Sequence, residues 1–464
     1  MIDPSDGRTN PAEGRTNPAE GRTDPADGRS TWTREAAARL ERTDRTVSPV
    51  IYPPETDAFE GLHVWDTWPL RNRDGTFAEI DGRRVLCALT TTDDLLPGKR
   101  HDVAAIHYFH SADGESWTHG GPLFDGDALG SRQWAGSTMY DDGDVYAFYT
   151  ASGFRGEEEL SYTQRIAAAT GGEIVIDGDG DGGLDGHGDG RAGGDLRIDG
   201  EWDHRILLEP DGELYEREDQ SRGMTYTFRD PWFFEDPADG ETYLLFEANT
   251  PVPEGSDPCD GDAVAAEFNG SIGIARSPSG DPMTWELEPP LLDAVCVNQE
   301  LERPHLVVRD GNYYLLVSSH QHTFAPGIEG YDALYGFVAD GLRGDYRPLN
   351  EHGMVATNPA NAPFQSYSWT AYDHGDELLA VSFFNYYDYV GASLDGIADL
   401  PESEQVRRFG GTLAPTLRIG LDGDRTELLG TLRHGDVPLP REALEAVDRG
   451  GRPRRAGGRG AYER

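Results

Sequence analysis

One carboxylate, Asp66, lies between Trp65 and Trp68 in residues 61–70. An indole offers a flat apolar face that stacks on the C–H side of a sugar ring, and a carboxylate among aromatic rings is poorly solvated and therefore reactive. The pairing indicates a carbohydrate site. The alternative is a turn-forming aspartate at the edge of a core strand, which would be the better explanation if this segment stood alone.

A second acidic cluster follows in residues 227–235, where Arg229 and Asp230 are adjacent and precede a proline that stiffens the turn. The permanent charge of an arginine lowers the pKa of a neighbouring acid, so we expect Asp230 to stay ionised. A structural ion pair at a strand end explains this motif alone equally well.

The third cluster, in residues 298–307, contains Glu300 and Glu302. On an extended strand these side chains share one face, where like charges push one pKa upward, as a general acid working near neutral pH requires. The alternative is a solvated strand face, which the Arg303 and Pro304 that follow disfavour. The three clusters together predict glycoside chemistry through a covalent glycosyl-enzyme.

Short runs of Val, Ile, Tyr, Phe and Leu between Asp-Gly, Gly-Asp and Asn turns fill residues 50–432 and predict antiparallel strands. The region is therefore predicted to be all-β, either a propeller or a sandwich with a second domain. Carboxylates so far apart in the chain can meet only if their strands radiate from a common axis, which favours the propeller. The clearest predicted strands are 85–90, 104–110, 145–150, 242–247, 271–275, 313–318, 333–338, 378–384 and 426–429.

The charge balance excludes some partners. The chain has 84 acidic and 40 basic residues, a formal net charge of -44 at pH 7, and Lys99 is its only lysine. Such a surface repels nucleic acid and anionic membranes, and high salt would screen its self-repulsion. We expect a halophilic protein that loses stability in low salt. No run of 18 apolar residues and no apolar N-terminal signal are found, so the expected location is the cytoplasm or export by an unrecognised route.

The sequence divides into a leader, a body and a tail. Residues 1–45 are predicted to be a disordered leader with three copies of a Gly- and Pro-containing unit in 7–27, followed by one short helix. Residues 46–432 are predicted to form the catalytic domain, interrupted at 177–200 by a flexible, acidic, glycine-rich insertion. Its start is similar to a calcium loop but lacks the final glutamate, so no metal or cofactor is expected. The Arg/Gly-rich residues 433–464 are predicted to be a disordered tail.

Four ordered motifs resemble the signatures of glycoside hydrolase family 68, the levansucrases, inulosucrases and related β-fructofuranosidases. The resemblance covers roughly residues 50–430 and implies a five-bladed β-propeller with a funnel-shaped central active site. The motifs are Val-Trp-Asp-Thr-Trp-Pro-Leu at 64–70, Gln-Trp-Ala-Gly-Ser at 133–137, Phe-Arg-Asp-Pro at 228–231 and Glu-Leu-Glu-Arg-Pro at 300–304.

The resemblance also implies residue roles. Asp66 would be the nucleophile that forms the fructosyl-enzyme, Asp230 would stabilise the transition state, and Glu302 would be the acid/base. The residues expected to bind substrate are Trp65 and Trp134 at the fructosyl subsite, Ser137 of the second motif, Arg229, Glu300 and Arg303 at the sugar hydroxyls, His320 on the acceptor side and Tyr367 near the nucleophile. Residues 319–324 and 332–337 resemble the Gram-negative-type branch, in which His320 replaces an arginine and bears on product type.

Two positions depart from the family pattern. Ala135 replaces a serine whose hydroxyl is expected to hydrogen-bond the nucleophile, which puts the positioning of that nucleophile in question. Gln299 stands where calcium-binding members have an acidic ligand, so their structural calcium is not expected here. Of the three cysteines, which lack zinc-site spacing, Cys259 and Cys296 fit the positions of a disulfide in the Gram-negative-type members.

The function implied is sucrose cleavage followed by fructosyl transfer to fructan, sucrose or water, as in a levansucrase. The alternatives within the same site are an inulosucrase or an invertase-like hydrolase, because loop contacts decide acceptor linkage. A third alternative of another class is a non-catalytic propeller that binds fructan. The intact set of carboxylates argues against it, since buried carboxylates cost stability that a binding module has no reason to give up.

Overall fold

Antiparallel β-strands are the main secondary structure in the computed structural model, which describes residues 28–55, 59–176, 196–391 and 393–438. The all-β prediction is confirmed, and each predicted strand overlaps an observed one. The strands are β1 (Ser30–Thr31), β2 (Leu62–Asn72), β3 (Arg84–Thr92), β4 (Ala105–Ser111), β5 (Thr118–Pro122), β6 (Arg132–Asp141), β7 (Asp144–Ser152), β8 (Gln164–Ile176), β9 (Leu196–Leu208), β10 (Phe228–Glu235), β11 (Thr242–Asn249), β12 (Gly270–Arg276), β13 (Glu286–Asp293), β14 (Glu302–Arg309), β15 (Asn312–Ser319), β16 (Ala333–Ala339), β17 (Arg347–Pro348), β18 (Met354–Thr357), β19 (Ser366–His374), β20 (Glu377–Tyr386), β21 (Phe409–Leu413), β22 (Pro415–Asp422) and β23 (Arg425–His434).

Helical structure is limited to short connections. The α-helices are α1 (Arg34–Ala37), α2 (Asp395–Ala398) and α3 (Glu402–Arg408), and single 3₁₀ turns join some of the strands. Within the residues that the structure describes, no helix has the length and apolar character needed to cross a bilayer.

The strands form four hydrogen-bonded sheets. Three of them run in the orders β1-β13-β12-β11-β10, β14-β15-β16-β17 with β18 also on β16, and β19-β20-β22-β23 with β21 also on β20. The fourth has the order β5-β4-β3-β2-β6-β7-β8-β9. Its two antiparallel halves, β5-β4-β3-β2 and β6-β7-β8-β9, are joined into one sheet by the parallel pairing of β2 with β6, from Leu70 opposite Thr138 to Asn72 opposite Tyr140.

The inner strands β2, β6, β10, β14 and β19 close into a ring. Each contacts the next one along the chain, and β19 contacts β2. Burial follows this arrangement, because nearly all of β10 is buried whereas β23 is exposed at alternate positions. A strand with neighbours on both faces is apolar on both sides, and an outer strand is not. The ring places the starts of the inner strands around one axis.

Every inner strand has a break in its pairing register toward its N-terminal end. Such bulges tilt the local backbone and re-aim side chains, and they are frequent beside active sites. The residues in the bulges include Asp66, Asp230, Arg303 and Ser368, all with positive φ, at 24°, 60°, 55° and 58°. The breaks lie between Trp65 and Thr67, Trp134 and Gly136, Arg229 and Trp232, Glu302 and His305, and Tyr367 and Thr370.

The N-terminal boundary of the β domain differs from the prediction. β1 pairs in parallel with β13, and the fully buried Trp32 packs edge-on against Phe324 and Phe337. Residues 30–45, predicted to belong to a leader, are therefore part of the packed body, because Trp32 fills its core. The predicted repeat in 7–27 lies outside the described residues.

Two other boundaries also differ. β9 begins at Leu196 and pairs with β8, so residues 196–200 are strand rather than insertion, while 177–195 lie outside the described residues. At the other end β23 extends to His434 and Val437 is fully buried, so the predicted tail does not start at 433. Residues 439–464 are not described. In both places strand pairing overrides a polar, glycine-containing local composition.

Cys259 and Cys296 form a disulfide, as the family resemblance predicted. The bridge is tied to the N-terminal segment, because Nη1 of Arg34 donates to the carbonyl of Cys296 at 2.7 Å. The third cysteine, Cys87, is buried and unpaired with another cysteine.

Candidate active site

The three predicted catalytic carboxylates come from three inner strands and lie in one electrostatic cluster. Asp66 is on β2, Asp230 on β10 and Glu302 at the start of β14. Burial raises the pKa of both Asp230 and Glu302; the charge of Asp66 adds to the rise for Asp230, as that of Asp230 does for Glu302. The N–H of Arg303 donates to Oδ2 of Asp230 at 3.0 Å, which joins β14 to β10. Acids that are far apart in sequence therefore meet at one place.

A single guanidinium, that of Arg229, is shared by three glutamates. Its Nε lies 2.7 Å from Oε2 of Glu247, and its Nη2 lies 3.0 Å from Oε1 of Glu300 and 3.2 Å from Oε1 of Glu302. Arg229 on β10 is paired with Glu247 on β11, and both are buried. Burial alone would lower the pKa of Arg229, but the carboxylates raise it well above its ordinary value. Arg229 is therefore a fixed positive charge at the centre of the cluster.

The pKa of Glu302 is raised, as the spacing of the two glutamates predicted, whereas the pKa of Glu300 is lowered. Burial would raise the pKa of Glu300, but Arg229 and His320 outweigh burial and lower it. Burial and the charge of Glu300 raise the pKa of Glu302 to about 7. The hydroxyl of Tyr367 donates to Oε2 of Glu302. Glu302 can therefore hold a proton near neutral pH, as a general acid must.

The prediction that Arg229 keeps the pKa of Asp230 low is wrong in sign. Burial raises the pKa of Asp230 by more than Arg229 and Arg303 lower it. Desolvation is therefore the reason, and the ion pairs that Arg229 makes within the described residues are with glutamates of neighbouring strands.

His320 lies beside Glu302 with its protonation fixed by a buried aspartate. Its Nε2 is 4.0 Å from Oε2 of Glu302, and its Nδ1 is 2.9 Å from Oδ2 of Asp332. Its ring stacks on that of Tyr367 with a centroid separation of 3.6 Å. Burial alone would lower the pKa of His320, but Asp332 and Glu302 raise it to about 9. His320 is therefore a cation at neutral pH next to the acid that must release and take up a proton.

The two predicted tryptophans differ in accessibility. Trp134 is half-buried and its Nε1 donates to the carbonyl of His101 at 3.1 Å. Trp65 is fully buried and packs edge-on against His101, and its Nε1 has no acceptor among the described residues. In this structure the ring of Trp65 therefore supports the strand that carries Asp66, and its place at the fructosyl subsite stays a prediction. Trp134 is the tryptophan that a ligand can reach.

Ser137 does not face the candidate site. It is fully buried, and its hydroxyl accepts the backbone N–H of Phe233 at 3.0 Å, which ties β6 to β10. Its prediction as a substrate-binding residue is therefore not supported by its position.

Arg303 joins neighbouring strands. Its Nη2 donates to Thr370 at 3.2 Å and contacts the carbonyl of Thr67 at 3.4 Å.

The two departures from the family pattern have local partners. The carbonyl of Ala135 accepts a hydrogen bond from Thr150 at 3.1 Å, and the same Thr150 hydroxyl accepts the N–H of Asp230 at 2.9 Å. The bulge at Ala135 is thus linked to the backbone of Asp230 without a serine. The amide of Gln299 donates to the carbonyl of Thr225 at 2.6 Å, so it is engaged in a protein contact where a carboxylate ligand would be free.

Several residues near the acids were not selected from the sequence as site residues. Among them are Glu247, Asp332 and Arg100, which lies 5.6 Å from the ring centre of Trp65 and whose pKa burial lowers, although the charges of Tyr386 and Asp66 oppose that shift. Glu247 interrupts an apolar run in β11, and a lone acid in a buried strand was the available signal. Asp332 belongs to residues 332–337, which resemble the Gram-negative-type branch, but no role was predicted for it. Arg100 follows the only lysine on a 3₁₀ turn and carries no distinguishing local pattern.

The arrangement has the parts of a double displacement at a glycosidic carbon. It offers Asp66 as a partly accessible carboxylate, Glu302 as a proton donor with a pKa near neutrality, and Asp230 as a buried third acid. A nucleophile and an acid/base are what retaining glycoside chemistry requires. Arg229 and His320 add fixed positive charge where sugar hydroxyls or a leaving oxygen would be held.

Comparison with known proteins agrees with this geometry. Residues 23–438 match the family described as levansucrase/invertase. An extracellular sucrase of Zymomonas mobilis is 35% identical over 427 residues, covering 88% of this chain and 95% of that protein. A levansucrase of Pseudomonas savastanoi is 34% identical over 451 residues, covering 89% and 97%.

Among solved structures, an inulosucrase from Halalkalicoccus jeotgali bound to kestose is similar with a TM-score of 0.84 and 62% identity, covering 89% of this chain and 98% of that one. The family match spans most of the described residues and includes every strand that carries a candidate site residue. The chain belongs to the levansucrase/invertase family, glycoside hydrolase family 68.

Proposed function

We propose that the protein cleaves sucrose through a covalent fructosyl-enzyme and transfers the fructosyl group to fructan, sucrose or water. The observation that carries the proposal is the cluster of Asp66, Asp230 and Glu302, in which burial and neighbouring charge raise the pKa of Glu302 to about 7. A third possibility, a propeller that only binds fructan, has no need of an acid tuned in this way.

In the proposed mechanism a carboxylate oxygen of Asp66 attacks the anomeric carbon of the fructosyl unit. The bond from that carbon to the glucosyl oxygen breaks, and Glu302 gives its proton to the departing glucose. In the second half Glu302 takes a proton from the acceptor hydroxyl, which attacks the same carbon and releases Asp66. Asp230 stabilises the positive charge that develops on the fructosyl ring in both steps.

Substrate binding is assigned to the side chains around these acids. Trp134 offers a ring face to the fructosyl unit, and Glu300 and Arg303 hold sugar hydroxyls together with Arg229. His320 and Tyr367 are placed on the acceptor side, because His320 lies 4.0 Å from Glu302 and Tyr367 hydrogen-bonds the same carboxylate. A cation beside the acid/base favours departure or approach of a partly negative oxygen.

The pH dependence follows from the pKa of Glu302. As the proton donor it must be protonated in the free enzyme, so we expect kcat/KM for sucrose to fall with rising pH above about 7, tenfold per pH unit. The measurement is initial glucose release in constant molar salt from pH 5 to pH 10. His320 loses its charge only near pH 9. A decline in kcat/KM that begins near pH 9 instead of pH 7 would assign the loss of activity to His320, and it would contradict the role given to Glu302.

We also propose that the sheets are the five blades of a propeller whose inner strands surround a funnel. The closed ring of inner strands supports this count, as does the shared register break in each of them. The eight-stranded sheet counts as two blades, because the strand pairing that joins its two antiparallel halves is the short parallel one of β2 with β6. Acids at the starts of such strands would face one central opening.

Two products remain candidates for the transfer reaction. Levan is the first candidate, because the function implied by the sequence is that of a levansucrase. Inulin-type fructan is the second candidate, favoured by the 62% identity with an inulosucrase, compared with 34% for a levansucrase. We propose that the site works outside the cytoplasm, because the Cys259–Cys296 disulfide is stable in an oxidising compartment and one relative is named extracellular.

Incubation with sucrose in molar salt tests the function directly. Glucose in excess of free fructose is expected, because each transfer releases glucose and retains fructose in the product. Equal amounts would identify a hydrolase with the same first step. Linkage analysis of the polymer then distinguishes levan from inulin. Failure to release glucose from sucrose across the salt range would overturn the proposal.

A further inference from the structure

An exposed aromatic side chain, Tyr162, continues the ring surface of Trp134 away from the candidate acids. The two ring centroids are 6.3 Å apart and the planes are tilted by 39°. Tyr162 is 51% exposed, on the connection between β7 and β8. Phe154 and Leu160 on the same connection are 47% and 48% exposed. A single exposed ring is ordinary, but a ring that lies against Trp134 at a candidate site, on a loop that exposes two more large apolar side chains, indicates binding.

A buried arginine fixes this loop against Trp134. Arg132 is 1% exposed, and its guanidinium carbon lies 4.8 Å from the ring centre of Tyr162 and 5.4 Å from that of Trp134. The same guanidinium donates to the carbonyl of Ser161 at 2.6 Å and is 3.5 Å from Oε1 of Glu157. Both rings therefore rest on one immobile cation that also holds the loop backbone.

The edge of the Tyr162 ring is fastened as well. Its hydroxyl donates to Oδ1 of Asp102 at 3.1 Å. Asp102 follows His101, whose carbonyl accepts the indole N–H of Trp134. The ring is thus held at its hydroxyl and on the face toward Arg132, while half of the side chain stays open to solvent. A rigid exposed ring loses little conformational entropy when a ligand stacks on it.

We propose that Tyr162 forms a distal subsite for the remote sugar units of an oligofructoside whose terminal fructosyl unit lies at Trp134. The inference rests on the proposed function and adds a chain-length preference to it. A neutral sugar chain suits the surface, because the charge of -44 disfavours anionic ligands and a flat ring stacks on the apolar side of a sugar.

The test measures binding rather than turnover. In the full chain carrying Asp66→Ala, so that ligand is not consumed, the dissociation constants of sucrose, a fructan trisaccharide and a fructan pentasaccharide are determined by calorimetry in molar salt. Adding Tyr162→Ala is expected to weaken pentasaccharide binding by about three- to tenfold and sucrose binding by much less. Tyr162→Phe keeps the ring and is expected to retain the affinity for the pentasaccharide.

Two further variants separate a subsite from a structural role. Tyr162→Leu keeps an apolar side chain without a flat ring and is expected to bind like Tyr162→Ala, which also serves if the alanine variant does not fold. Tyr52→Ala removes a tyrosine that is 74% exposed elsewhere and is expected to change no affinity.

The inference is overturned if Tyr162→Ala binds the pentasaccharide like its parent, or if it weakens sucrose and pentasaccharide equally. Loss of all sugar binding with Tyr162 intact would instead count against the proposed function.

Discussion

Asp66→Ala is expected to abolish release of glucose from sucrose while leaving the protein folded. The substitution removes the oxygen that forms the covalent bond, and loss of a nucleophile typically costs about 10⁴-fold or more in turnover. The fold has little dependence on this side chain, because Asp66 is partly exposed and its carboxylate has no ion pair of 4 Å or less among the described residues. The measurements are initial glucose release and thermal unfolding, both in molar salt.

Asp142→Ala is the matched control for Asp66→Ala. Asp142 is an exposed aspartate with a φ of 52°, in the tight turn between β6 and β7, so it shares the left-handed backbone of Asp66 without its surroundings. Any strain from placing alanine at a positive φ is therefore present in both variants. The control is expected to keep its activity. Turnover retained by Asp66→Ala at a level near that of the control would remove Asp66 from the mechanism.

The acids could be found from the sequence because their neighbours are unusual. A carboxylate between indoles at Asp66 and a pair of glutamates at Glu300 and Glu302 are local patterns, and local patterns can be read without knowing the fold. Their spacing predicted that one of the two pKa values is raised, and that of Glu302 is, whereas the lowered pKa of Glu300 was not predicted. The Cys259–Cys296 bridge came from family resemblance, since three cysteines alone do not define a pairing.

The structural repeat could not be found from the sequence. Each inner strand has its register break toward its N-terminal end, but the residues in the breaks differ. Asp66, Ala135 and Ser368 are examples from three of the strands. A bulge is a property of pairing between strands, and many residue types can occupy it. The repeat is therefore one of backbone geometry. It explains why the amino-acid sequence shows no repeat of matching period, although the strands themselves were predicted.

Burial is the physical quantity that the sequence does not contain. The sign of the pKa shift of Asp230 was wrong because desolvation outweighs two arginines. Trp65 and Ser137 belong to motifs that resemble a substrate site, yet both are fully buried and hold the strands in place. Glu247 was overlooked because its partner Arg229 lies on the neighbouring strand. Each of these outcomes depends on which residues of other strands lie against the side chain.

Arg229→Met is expected to destabilise the protein by about 3–5 kcal/mol and to abolish turnover, because it removes the guanidinium that pairs with the buried carboxylates of Glu247 and Glu300. The loss of positive charge also raises the pKa of Glu302 further, since Arg229 now lowers it. Any residual activity should therefore decline at a higher pH than in the parent. Denaturant unfolding and pH profiles in molar salt measure both effects.

The matched control for Arg229→Met is Arg276→Met. Arg276 also bridges two glutamates, Glu241 and Glu288, but it lies at the solvent-exposed C-terminal end of β12, where ion pairs contribute little to stability. It is expected to change stability far less and activity not at all. Adding Glu247→Gln to Arg229→Met should recover part of the lost stability, because one uncompensated buried charge disappears, whereas turnover should stay lost. Equal destabilisation by Arg229→Met and Arg276→Met would show that the central guanidinium does not hold the acid cluster together.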